Sequence, residues 1–507
     1  MSFAALGLPE RHRFGWIVLV TLGGALCGLF ILLLTVLPAR WATLGILGTM
    51  VPFVALLTGN VQRFFLATLV FTLPIQLDIT IRHSGHLGGA AGFIISLYDI
   101  TLAVLYLLWI SEFLRNRSVK INFFPRISLP FFCLIGMATL SMANASFPGL
   151  SLFEIVQVLK MYLGFLYVAN NIKSRKEIQF VVALLLLGLF LESLLGLAQY
   201  KFDRLFVPSI LGGAEKLRYI RLGEPLSRVS GTWASYNDFA WYLTFMLPIS
   251  MSLLFSRIRA IYKLMCGLTL IAGIATLIGT LSRAGWYSLG IAILIVSLLH
   301  FSKTKGKAGL GNFSSSLVGG LIIILIIVTV NPRFLNIVNR RIFGEDYGAA
   351  WSRIPLMQVA YSIIRAHPLS GVGINNYTEV MQDYDTTDIR ITTITRHQVH
   401  NIFLQIAAEM GVIGLAIFVW LISMVYKEGL RYIKSSENLM SAMVIGVIAG
   451  ITAFLIHGLV DAASLGNHLF LIFWVFTGII VAIRKIESEA KSPVRGYYQH
   501  PVFRLRS

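Results

Sequence analysis

Charged residues are scarce in this chain, at 13% against 56% hydrophobic residues, and the mean hydropathy is +0.77. A soluble chain could not bury that much apolar surface, so the composition excludes that class and indicates a polytopic membrane protein. Cysteine is almost missing. Cys27, Cys133 and Cys266 all fall inside predicted spans, which excludes a disulfide framework and leaves packing as their role. No Walker glycine loop, dinucleotide glycine pattern or zinc-ligand spacing occurs, so no cofactor or metal is indicated. Lysine is absent from the longest polar stretch, 331–400.

What is present is a succession of apolar windows, each near the ~20 residues that cross a bilayer. They centre on 15–37, 41–59, 62–77, 91–111, 127–143, 151–169 and 178–199, then 235–256, 263–280, 284–300, 312–330, 401–425, 440–459 and 466–483. The pattern predicts an all-α polytopic membrane protein with about 14 transmembrane helices and a large external loop containing short helices. A short cytoplasmic N-terminus (1–14) precedes one multi-span domain (15–483), and a basic cytoplasmic tail (484–507) follows it. The first span reads as a retained anchor.

The formal charge of +19 would suggest nucleic acid in a soluble protein. Here the basic residues fill alternate turns, which the positive-inside rule explains with no nucleic-acid partner. Arg115, Arg117, Lys120 and Arg126 share one turn; Lys173, Arg175 and Lys176 another; Arg257, Arg259 and Lys263 a third. Lys303, Lys305 and Lys307, then Lys427, Arg431 and Lys434, complete the set. That face is predicted to be cytoplasmic, which puts 331–400 outside.

Two external loops stand out. The loop over 200–234 is basic against the sidedness rule, carrying Arg218, Arg221 and Arg228 among others, which suggests charges that serve a ligand. In 331–400 an amphipathic helix is expected over Trp351–Arg365, with Ile354, Met357, Tyr361 and Ile364 on its apolar face. Pro368, Gly371 and Gly373 then permit a tight turn. The stretch DYDTTDIRITTITRH reads as a flexible, solvated cover, since Asp383, Asp385 and Asp388 lack calcium-loop spacing.

Three constellations could carry chemistry. In RHQVHNIFLQIAAEMGVIG, His397 and His400 share a face if the helix has already begun. The positive helix end would then keep His400 neutral and able to take a proton from a hydroxyl. The plainer alternative is an interfacial histidine packed near Phe403. Glu409 is out of phase with His400 and is expected to face Asn401 and Gln405. In GTLSRAGW, Arg283 occupies a very short turn between two spans, where its planar fork suits phosphate oxygens; a border arginine meeting headgroups is the alternative. In RVSGTWASYNDFAWYL, helix entry accounts for Ser235, Asn237 and Asp238, whereas Arg228 is harder to dismiss. Arg353 adds another external arginine.

These stretches, together with HPLSGVGINNY, resemble the O-antigen ligase and Wzy-type polymerase superfamily of bacterial envelope enzymes. The resemblance reaches from about Arg228 to Gly414. It implies a GT-C-like membrane glycosyltransferase whose donor is a polyprenyl-diphosphate-linked oligosaccharide and whose active site faces the periplasm. Its acceptor would be a lipid-linked repeat or a lipid A core, with membrane lipids and a chain-length regulator as further partners. Arg283, His400 and Arg228 match the family's arginine after the serine, its histidine before asparagine and its arginine ahead of Gly-Thr. His400 would then be catalytic with Arg283; Arg283, Arg228, Arg353 and Arg221 would bind the diphosphate; and His397, Asn401, Glu409 and Asn237 would support them. Relatives commonly read Gly-Asn-Pro-Asn where this chain reads ASYND, with Tyr236 in place of the proline.

Within this class the extra helices ahead of the matched region favour a polymerase, with ligase and protein glycosylation as alternatives; direct displacement would make it inverting, and arginines supplying the positive charge would make it metal-independent. A transporter of lipid-linked glycans is the alternative from another class, although no inverted repeat is visible.

Overall fold

A computed structural model describes residues 51–303 and 349–490, apart from 52–53, 56, 76–77, 83–84, 117–120, 203–227, 234 and 434–437. The windows at 15–37 and 312–330, most of that at 41–59, the tail and Arg221 lie outside the described residues. The chain divides into two units, 1–64 with 207–219 and 65–206 with 220–507. Only part of 51–64 is described in the first, and the second holds the helical bundle.

Among the described residues, eight helices are long and apolar enough to cross a membrane, not about fourteen. They are α2 (Leu97–Arg115), α4 (Pro148–Asn171), α5 (Arg175–Lys201), α7 (Ala260–Gly279), α8 (Arg283–Lys303), α12 (Ile402–Ile433), α13 (Asn438–His457) and α14 (His468–Ala490). The windows at 62–77 and 127–143 yield only α1 (Val61–Phe71, which crosses the boundary between the units) and α3 (Ser128–Ser141), too short to span. The window at 235–256 becomes α6 (Tyr236–Leu254), which opens on Tyr-Asn-Asp and carries Thr244, Ser250 and Ser252. It is buried from Phe239 to Leu253, so it is enclosed by other helices rather than by lipid. An antiparallel hairpin, β1 (Asp78–Ile81) with β2 (Phe93–Ser96), pairs Asp78 with Ser96; a purely helical reading does not foresee it.

Helices α6 and α13 pack closely against one another. Gly446 and Gly450, four apart, remove side chains where the backbones meet. A Cβ on Gly446 would sit 2.6 Å from Ile249 Cα, and one on Gly450 would strike the Phe245 carbonyl. Small residues at this spacing allow such close approach between membrane helices.

The basic turns gather at one end of the bundle around two buried glutamates. Arg484 and Arg126 meet Glu428 at 2.9 and 3.7 Å, and Arg175 meets Glu487 at 3.4 Å. The long polar segment lies at the other end. There α9 (Ala349–Ala366), α10 (Tyr377–Val380) and α11 (Ile391–Ile394) surround a small apolar core of their own.

Two expectations about that segment are corrected. The face of α9 that packs inward is Leu356, Val359, Ala360 and Ile363, with Met357 and Ile364 of the expected stripe partly buried against them, whereas Ile354 and Tyr361 are exposed. A helix of this composition has two candidate stripes, and burial by α12 selects the one more strictly aliphatic. The DYDTTD stretch is ordered around Asp385 rather than a flexible cover. The Asp385 carboxylate is buried and accepts hydrogen bonds from the backbone and hydroxyls of Thr387 and Thr392. Burial alone would raise its pKa, but these bonds outweigh it and hold the group down to about 2.

Helix α12 is broken at Gly411, whose φ is +70°. The turn 368–373 fills the gap: Val372 N–H donates to the Ala408 carbonyl, Gly373 N–H to Glu409, and Val412 N–H to Pro368. A helix break leaves backbone groups without partners, and here the loop supplies them.

Candidate active site

The arginine side of the site is built on the turn between α7 and α8. Thr280–Ser282 form the turn, Leu281 is left-handed at φ 56°, and Ser282 Oγ accepts from Gly285 N–H to start α8. Arg283 is therefore the first residue of a helix, where exposed N–H groups and the helix dipole favour anions.

Arg228 docks onto the same turn. Its Nε donates to the Thr280 carbonyl at 2.8 Å and its Nη2 to Asn237 Oδ1 at 3.2 Å. The guanidinium also stacks 3.2 Å from the centre of the Tyr236 ring. Tyr236 is thus the surface against which Arg228 rests. The following turn is fixed from α5: Gln199 bonds both Ser230 and Gly231, and Glu192 accepts from the N–H and hydroxyl of Thr232. Ser235 caps α6 by accepting from Asp238 N–H, as helix entry requires.

The histidine side lies where α12 begins and α13 ends. Asn401 Oδ1 accepts from Phe403 and Leu404 N–H, so Asn401 is the helix cap. His400 therefore precedes the helix, and residues 395–400 are not helical. His397 is exposed and shares no helical face with His400, which corrects the expected pairing. The group that orients His400 is Asp461, with Nδ1 and Oδ1 3.2 Å apart. In the tautomer this contact selects, Nδ1 carries the proton and Nε2 is left as the acceptor.

Asp461 is 6% exposed and also faces His457 Nε2 at 3.6 Å, the buried ring stacking on Trp241. Burial would raise the Asp461 carboxyl, but its contacts with His400 and His457 prevail and hold it well below the usual carboxylate range. Sequence reasoning missed this residue. Its signal was HGLVD, a histidine and a carboxylate four apart at the end of an apolar run, where ionisable groups are costly.

The remaining expected residues divide. Asn237 supports Arg228 directly. Glu409 is buried, accepts from Gln405 Nε2 at 2.6 Å and receives the backbone N–H groups of Asn375 and Tyr377, so it clamps the loop to α12. Asn375 and Asn376 of the GINNY stretch are also structural: Asn375 Nδ2 bonds the Ala90 and Leu150 carbonyls, and Asn376 Oδ1 accepts from Phe147 N–H. Arg353 is half-buried on α9, and no contact among the described residues joins it to Arg228 or Arg283.

The two sides occupy one end of the bundle. Arg228 bonds Asn237 at the start of α6, Trp241 one turn on donates to Phe454 of α13, and Gly458 beyond α13 accepts from Ile402 N–H. Arg283 and His400 are connected through this short chain of contacts.

Residues 268–419 match the family described as O-Antigen ligase. The match takes in Arg283, Arg353, His397, His400, Asn401 and Glu409; Arg228 and Asn237 precede it and Asp461 follows. No curated protein matches the chain.

Proposed function

Residues 268–419 belong to the O-antigen ligase family, and from that premise we propose that the protein is a membrane glycosyltransferase of the ligase type. It moves a glycan from a polyprenyl diphosphate to an acceptor hydroxyl, such as one on a lipid A core, at the outer face of the bacterial cytoplasmic membrane. The observation that carries this reading is the His400–Asp461 pair at the same bundle end as Arg228 and Arg283. The preference for a repeat polymerase rested on extra helices before the matched region. The family's description favours ligation instead.

In this mechanism His400 Nε2 takes the proton of the acceptor hydroxyl as its oxygen attacks the anomeric carbon. The bond from that carbon to the phosphate oxygen breaks, and the lipid diphosphate leaves with the electron pair. Asp461 holds the ring in the competent tautomer and offsets the positive charge the ring acquires. Arg228, Arg283 and the start of α8 stabilise the charge growing on the departing diphosphate. A single displacement inverts the anomeric centre. Since the arginines supply positive charge, no metal is required.

The test uses purified protein in nanodiscs with a polyprenyl-diphosphate-linked glycan and a lipid A core acceptor. Glycosylated lipid A with released polyprenyl diphosphate, undiminished by EDTA, is expected. Product ladders formed without lipid A would mean polymerisation. Movement of the lipid across the bilayer with no new glycosidic bond would replace the enzyme by a transporter.

A further inference from the structure

His457 is the last residue of α13 and is fully buried, yet neither of its ring nitrogens has a hydrogen-bond partner among the described residues. Phenylalanine would fill the same space beside Trp241, so packing does not account for an imidazole here. Ionisable side chains in the membrane-spanning part of a protein are costly and mark functional positions.

The polar group that faces the ring is Asp461. Nε2 stands 3.6 Å from Oδ2, just beyond hydrogen-bond range. A turn brings the two together, in which Val460 N–H donates to the His457 carbonyl at 3.1 Å. The carboxylate is held unevenly. Oδ1 faces His400 Nδ1 at 3.2 Å and accepts from Ala462 N–H at 3.0 Å, whereas Oδ2 accepts no hydrogen bond among the described residues. Asp238, in the first turn of α6, lies within electrostatic reach, and its charged form repels the same carboxylate.

The surroundings of His457 select its tautomer. Nδ1 is sealed with no acceptor, so a proton there would be stranded. The proton therefore belongs on Nε2, facing Asp461 Oδ2. Trp241 keeps the ring in that orientation: the two planes are 9° apart with centroids at 4.8 Å, and Trp241 Nε1 is fixed by the Phe454 carbonyl at 2.8 Å.

We propose that His457 is a positioning residue that acts through Asp461. Its Nε2–H steadies Oδ2, stops the carboxylate rotating away and so keeps Oδ1 on His400. A small shift of the carboxylate closes the 3.6 Å gap, as catalytic hydrogen bonds do when they tighten in the reacting complex. The effect on turnover rests on the glycosyltransferase reading; the coupling of His457 to His400 is measurable without it.

Two readouts on the full-length protein in nanodiscs test this. With the donor and acceptor named above, His457→Phe should lower kcat about tenfold and leave acceptor KM within about twofold, the pattern of an interaction realised in the transition state. The second readout is carbethoxylation of His400 by diethylpyrocarbonate, followed across pH by peptide mass spectrometry; His400 is 26% exposed and open to the reagent. An aligned carboxylate favours the charged imidazole, so the midpoint should drop by about 0.5 pH unit or more in His457→Phe. His457→Leu serves as a second apolar variant if Phe does not assemble. His457→Gln, whose amide N–H can still reach Oδ2, should recover most of both changes. An unmoved midpoint in an assembled apolar variant, an equal drop in His457→Gln, or full turnover despite a shifted midpoint would overturn the inference. A shifted midpoint in a protein whose wild type forms no glycosidic bond would keep the coupling and remove only the enzymatic reading.

Discussion

His400 Nδ1 and Asp461 Oδ1 lie 3.2 Å apart although 61 residues separate them, and the contact joins the start of α12 to the end of α13. Replacing His400 with Ala should lower glycan transfer by on the order of 10²–10⁴-fold, the usual contribution of a general base. Asp461→Asn should cost at least about 10²-fold in kcat with little change in acceptor KM, because the amide favours the wrong tautomer. Wild-type turnover by Asp461→Asn at normal abundance would remove the dyad.

Arg228→Lys should behave as a damaging change. An ammonium cannot reproduce the planar fork that meets Thr280, Asn237 and the Tyr236 ring together. Losing one charge-assisted hydrogen bond of roughly 1.5–3 kcal/mol predicts a fall of about 10- to 100-fold in kcat/KM. Tyr236→Leu should fall less, since the two hydrogen bonds remain. Initial rates with a fixed lipid-linked donor decide both, and equal activity for Arg228→Lys would show that charge alone suffices.

The Asp385 knot should confer an acid limit on the polar segment. Its carboxyl is held at about 2, below the ordinary carboxylate value, so its stabilisation is fully present above about pH 4. That contribution is lost as pH falls through about 2. Hydrogen exchange should show residues 385–395 protected at pH 7 and less so near pH 2. Asp385→Ala should lose that protection already at neutral pH while α6 and α13 keep theirs. Unchanged exchange in the variant would mean that the threonine bonds do not order the segment.

Gly450→Val should lower the melting temperature in detergent, since its Cβ would meet backbone at Phe245. Overpacking of this kind typically costs about 1–3 kcal/mol. Gly267→Val, at a position with nothing within 4 Å of the added carbon, serves as the control. Equal melting of the two variants would contradict the close α6–α13 contact.

Arg283 is legible in the sequence because two apolar runs leave it only one place to be, a turn too short to hide it. Ser235 is legible for a similar reason: capping is local chemistry. Asp461 is not legible, since its partner comes from another helix and nothing within HGLVD says which imidazole it will meet. Hydropathy overcounts spans because it registers apolar length without reporting what covers it. Thus α3 is apolar but too short to span, and α6 is long enough but diluted by Asn237, Asp238 and its buried hydroxyls. The stripe on α9 is only half right, Met357 and Ile364 packing inward and Ile354 and Tyr361 not, because α12, not the sequence of α9, decides which side is covered. The hairpin escapes because each of its strands has four residues, too few for alternation to emerge from the surrounding apolar background.

The break at Gly411 bears on how such proteins can be recombined. Excising the outer segment, or grafting in that of a relative, would strip the Ala408 and Glu409 carbonyls and the Val412 N–H of their partners within the helix that carries the active-site end. A functional chimera must therefore exchange 368–373 and 402–412 as a matched pair, and junctions placed between them should yield protein that fails to assemble.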